Sequence, residues 1–227
     1  MTPIQQLYLG VGAKKKTYVD DVFSTTLYTG NMTDRNINTG INMSGKGGLT
    51  WLYTRSTAVG GWMFDTERGY NKFLRSTDNN GEGTETTMVS GFTATGFSLD
   101  GDGSQSDNTN NNNTKYVSWN FRNADGFFKV VKWTGNGTNG RQISHGLGSI
   151  PGCIMVKRTD ANGDDWMVYH RGNADTSNAG NYWLKLNGTD SKGNSDRFYD
   201  LEPTSTYFTV SDHETVNTNT YEYVAYV

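Results

Sequence analysis

The stretch Leu27-Tyr28-Thr29-Gly30-Asn31 returns as Lys132-Trp133-Thr134-Gly135-Asn136, at an offset of 105. Further matches follow in the same order. Ile37-Asn38-Thr39-Gly40-Ile41 answers to Ile143-Ser144-His145-Gly146-Leu147 at offset 106. Gly48 and the LTWLYTR after it answer to Gly152 and CIMVKRT, and Trp62-Met63-Phe64 answers to Trp166-Met167-Val168, both at offset 104. Phe97-Ser98-Leu99 pairs with Phe208-Thr209-Val210, and Tyr116-Val117-Ser118-Trp119 with Tyr223-Val224-Ala225-Tyr226. A fixed order at a nearly fixed offset is the mark of a duplicated structural unit.

The matched segments are short and rich in β-branched and aromatic residues, while the unmatched ones between them are polar, which reads as strand against loop. Alternation in Phe127-Phe128-Lys129-Val130-Val131-Lys132-Trp133 and in 221–227 gives each strand one face to bury and one to wet. Gly30, Gly40, Gly48, Gly135, Gly146 and Gly152 fall at strand ends, where positive φ would reverse the chain. The expected fold is all-β: two tandem antiparallel β-sandwich units, 17–124 and 125–227, behind a short extended N-terminal segment, 1–16. Asn123-Ala124-Asp125-Gly126 is the joint.

With 33% hydrophobic residues against 28 Gly and only 3 Pro, the chain suits thin sheet layers better than thick helical bundles. The net charge of -3 is spread along the chain, and only Lys14-Lys15-Lys16 breaks the balance, so no footprint for nucleic acid is visible. The single Cys153 excludes an intrachain disulfide and is read as a buried thiol. No run is long and apolar enough for a membrane helix, and the lysines follow the apolar start, an order unlike a secretory signal. Ile4, Leu7, Tyr8, Leu9 and Val11 make that start a docking segment, either for its own body or for a neighbouring subunit. Asp100 to Thr114 carries no apolar side chain and is expected as a solvent loop.

Catalytic signals are weak. His145, His170 and His213 lack a second ligand at metal spacing, and His145 occupies the place of Thr39. Asp65 and Glu67 lie on one side of a strand, the kind of pairing a glycosidase needs, but the second copy does not repeat them. The chain is therefore read as no enzyme. Calcium is the one cation to weigh, through Asp100 and Asp102 or through Asp160, Asn162 and Asp164, although Asp, Asn and Gly also make turns. Trp51, Tyr182 and Trp183 are candidate stacking faces for a glycan. Trp62 and Trp166, matched between the copies, are read as packing a shared core.

The runs KKTYVDDVFSTTLYTGN, INTGINMSGKGGLTWLYTR and WMFDTERGYNKFLRS, with WTGNG, ISHGLGSIPGCIMVKRT and DWMVYH in the second copy, resemble the recurrent domain of marine (cyanophage-type) tailed-phage structural and tail proteins. That domain is distantly similar to laminin-G-like and concanavalin A-like sandwiches. The resemblance implies a structural protein of the virion, assembled in the host bacterial cytoplasm, in a tail fibre or a tail- or baseplate-associated part that serves host adsorption. A capsid decoration protein or head fibre is the alternative, and a lectin-like module binding host-surface glycans another. Its expected partners are other phage structural proteins and further copies of itself, a trimer among them, with the leader as virion attachment segment. Val227 falls inside an apparent strand, which is expected to be an edge completed by a partner or the cut end of a fragment.

Overall fold

The computed structural model describes residues 17–58, 60–101, 109–173 and 178–227. A single helical turn, α1 (Val19–Val22), leads into β1 (Phe23–Thr29). The first half continues with β2 (Arg35–Asn38), β3 (Gly48–Thr54), β4 (Gly60–Asp65), β5 (Lys72–Arg75), β6 (Gly83–Thr84), β7 (Val89–Thr93), β8 (Gly96–Leu99) and β9 (Lys115–Arg122). The second half supplies β10 (Val130–Thr134), β11 (Arg141–Ser144), β12 (Cys153–Arg158), β13 (Met167–His170), β14 (Leu184–Lys185), β15 (Tyr207–Val210) and β16 (Glu222–Tyr226). Every strand pairing is antiparallel. The fold is an all-β sandwich.

The large sheet of the first half runs β1-β9-β3-β4-β5-β6 and that of the second β10-β16-β12-β13-β14; the small sheets are β2-β8-β7 and β11-β15. The strand order of the second half thus repeats that of the first on either side of 123–126. The duplication extends to single hydrogen bonds. Tyr28 stacks on Tyr116 at 4.9 Å and meets Phe97 edge-on, while Trp133 stacks on Tyr223 at 5.4 Å and meets Phe208 edge-on. The Tyr28 hydroxyl donates to Thr109 O and the Trp133 indole to Val216 O, so one role passes between two aromatic types. Thr39 Oγ1 accepts from the Ile41 N–H just as His145 Nδ1 accepts from Leu147, which makes His145 the turn residue its place in the repeat suggested.

Gly40 and Gly146 do take positive φ, at 77° and 63°. Gly30 and Gly135 owe their places to close approach instead: a Cβ would meet Asn111 O or Thr218 O at about 2 Å.

Three apolar clusters fill the layers. One lies between the large and small sheets of the first half, around Leu52, Trp62, Phe64 and Phe97. A second does the same for the other half, around Ile154, Tyr169, Phe208 and Tyr223. The third joins Leu49, Met63 and Leu74 to Phe128, Val130, Trp166, Val224 and Tyr226, so the outer faces of the two large sheets pack on each other. The two halves therefore share this cluster as packed layers.

Two expectations need correction here. Trp62 pairs with Leu52 and faces the first cluster, whereas Trp166 precedes β13 and sits in the third. Cross-strand register makes Met167 the counterpart of Trp62, because Val156 pairs with Met167 as Leu52 pairs with Trp62. A shift of one residue in a strand moves a side chain to the opposite face, so the two tryptophans share no core. The strand before Val227 is no edge either: β16 lies between β10 and β12, and Val227 exchanges backbone hydrogen bonds with Lys129.

Candidate functional site

The seam between the large sheets holds the densest polar chemistry among the described residues. Asp65 ends β4 with its side chain wholly buried, and the turn after it brings Arg68 back underneath. The Asp65 carboxylate accepts from the Glu67 and Arg68 N–H groups, from Arg68 Nε at 2.5 Å and from the Tyr226 hydroxyl at 2.8 Å. Arg68 also donates to Met63 O, to the Tyr226 oxygen at 3.1 Å and to Glu82. Burial alone would lower the Arg68 pKa, but Tyr226, Asp65 and Glu82 outweigh it and raise it above its ordinary value. Burial raises Tyr226 well above a usual phenol, so it stays a donor to Asp65. Asp65 is therefore engaged by four donors of the chain itself, while Glu67 lies in the turn beyond the strand.

A second staple joins the loop after β5 to the loop after β12. Glu82 N–H donates to Thr159 O, Gly81 N–H to Asn162 Oδ1, and Gly163 N–H to Asn79 O. Lys157, fully buried, donates from Nζ to Asp164 O at 2.8 Å, Arg158 O at 3.1 Å and Asn79 O at 3.4 Å. Burial pushes its pKa down to about 8 against the pull of Asp164, Asp78 and Asp165. The calcium candidates of this loop face a cation of the chain itself. Arg158 binds Asp160 Oδ1 at 2.7 Å and Asp164 Oδ2 at 3.0 Å, and Asn162 Oδ1 faces Gly81. Asp102 lies outside the described residues, and Asp100 lends its carbonyl to Asn110. Among the described residues no cluster of three or more His, Cys, Asp or Glu is placed to hold a metal.

The glycan candidates are not brought together. Trp51 packs against the seam, edge-on to Trp119, with its indole N–H on Ser76 Oγ at 3.2 Å. Trp183 packs against the inner cluster of the second half, on the far side of that half's large sheet, over Gly193 and beneath Arg197. The Tyr182 ring is covered by the Lys192 ammonium at 4.1 Å. Ile4, Leu7, Tyr8, Leu9 and Val11 lie outside the described residues.

Two features escaped the sequence reading. Thr109 and Asn110 lie within the Asp100 to Thr114 tract expected to be a solvent loop, yet both are fully buried. Asn110 Oδ1 accepts from Asn31 N–H, and its amide donates to Thr33 O and Asp100 O; Asn217 repeats this with Asn136 N–H and Thr138 O. The signal was available in the TGN of both copies, each of which receives one of these asparagines.

The other feature is a cleft of about 540 Å³ at one end of the seam. Leu49 and Phe121 form its wall in the first half; Phe127, Leu147, Ile150 and Met155 form the wall opposite. Cys153 lines it half-buried rather than enclosed, and burial pushes its thiol pKa up. The polar groups at the rim turn to their own backbone: Arg171 donates to Ile150 O, and His170 Nδ1 accepts from Gly172 N–H.

Comparison with curated proteins and with solved structures gives no match. Residues 19–227 match, as one unit spanning both halves, a family described as a domain of unknown function (DUF7483), and the chain belongs to that DUF7483 family.

Proposed function

We propose that the chain is a non-enzymatic structural protein of a tailed-phage virion, in a tail fibre or a tail- or baseplate-associated part used in host adsorption. The motifs quoted from both copies suggest the context. The observation that supports a scaffold role is how the conspicuous polar residues are used. Asp65, the one buried carboxylate of the suspected catalytic pair, is saturated by Arg68, Tyr226 and two backbone N–H groups. Lys157 and Arg158 likewise serve loops that fasten one half to the other. Such fastening turns two thin sandwiches into one stiff body, which suits a part that transmits force.

Immunogold labelling of intact particles with antibody against this chain tests the reading. Label on the tail and antibody inhibition of adsorption are expected. Label on the capsid would replace this role by that of a decoration protein or head fibre, and particles without the chain would overturn the assignment.

A further inference from the structure

The cleft beside Cys153 is walled mainly by apolar side chains of both halves; the polar side chains that line it are Ser149, His170 and Arg171, of which Arg171 donates to Ile150 O and His170 Nδ1 accepts from Gly172 N–H. An opening of about 540 Å³ with such walls suits several aliphatic or aromatic side chains from a peptide. The chain itself carries one. Residues 1–16 precede the described structure and include Ile4, Leu7, Tyr8, Leu9 and Val11. They join the body at the correct place. Thr17 leads into α1 and β1, Phe23 pairs with Phe121 across the sheet, and their rings lie 5.0 Å apart. Phe121 is a wall of the cleft. The six residues from Gly12 to Thr17 can reach roughly 20 Å when extended, ample to return Val11 and its neighbours to that wall.

We infer that this cleft is the docking site for the apolar leader segment, residues 4–11 of the same chain, which closes the open end of the seam between the two large sheets. The inference does not rest on the virion assignment, because it concerns the isolated protein and is read without particles.

Cys153 is the only cysteine of the chain and lines the cleft, so it reports occupancy directly. In the full-length protein, Leu7→Asp and Leu9→Asp should each speed alkylation of Cys153 by iodoacetamide, roughly tenfold, by exposing the thiol. A synthetic peptide of residues 1–16 added to either variant should slow it again. In separate full-length variants, Leu7→Cys or Leu9→Cys should form an intramolecular disulfide with Cys153 under mild oxidation. Unchanged alkylation in both Asp variants together with no disulfide in either Cys variant would overturn the inference. A disulfide that joins two chains would also overturn it, in favour of the leader of a second copy.

Discussion

Asn110 and Asn217 show how much one buried amide can fix. Each accepts a backbone N–H from the TGN turn of its half and donates to a carbonyl two residues further on. Replacing either by Ala removes these hydrogen bonds and leaves a hole where a fully buried amide sat, so Asn110→Ala and Asn217→Ala should each cost about 1–3 kcal/mol, read as a lower urea midpoint. His145 acts by the same logic with a proton in play. Its Nδ1 accepts from Leu147 N–H, so Nε2 must carry the proton that faces Thr204 O, and the ring is neutral. Burial depresses its pKa below 6.5, with the Thr204 contact only partly opposing. Below 6.5 the unfolded chain then binds protons that the folded chain resists, so stability is full above that value and lost as pH falls through the lower folded pKa. Wild-type protein should show a lower urea midpoint near about pH 5 than near about pH 7, and His145→Gln should reduce that difference, His213, whose pKa burial likewise lowers, keeping a part of it. The burial of Asn110 was hidden in the sequence because the run NTNNNNT around it reads as solvated by composition. Only the partners waiting in the Thr29 to Thr33 turn make its burial favourable.

At the scale of elements, the duplicated strands share topology but not surroundings. The outer face of β10-β16-β12 is buried by the other half through Val130, Val224 and Tyr226, whereas the corresponding β1 exposes Leu27 at 58%. The first half meets its partner mainly through β3, β4 and β5, with Phe121 of β9 at the edge of the contact. The repeat therefore predicted each sandwich and not their contact, which brings different strands of the two outer faces together. Arg68 secures that contact. Arg68→Ala would leave the Asp65 carboxylate buried without its cation and should cost about 3–5 kcal/mol. Tyr226→Phe removes one hydroxyl while the ion pair survives, and should cost only about 1–2 kcal/mol. Chemical denaturation of the two variants side by side checks the ranking; equal losses would mean that the guanidinium is not the centre of the network.

At the scale of the molecule, the third cluster makes separation of the halves costly. A fragment of residues 17–124 would expose Leu49, Met63 and Leu74, and a fragment of 125–227 would expose Phe128, Val130, Val224 and Tyr226. Each should bind a hydrophobic dye and aggregate when produced alone, while the whole chain should unfold in one transition followed equally by tryptophan fluorescence and far-ultraviolet circular dichroism. Two independent transitions would show that the halves are separable domains.

The sequence by itself determined the strand segments, their alternation and their repetition, because those depend on side-chain period, turn residues and order along the chain. Tertiary structure decided the rest: which face Trp62 and Trp166 occupy, the burial of Asn110, the use of Asp65 and Arg68 as a staple, and the cleft beside Cys153. Each of these rests on groups far apart in sequence. A buried charge or amide is stable only where its partners converge, and no local pattern of residues records that convergence.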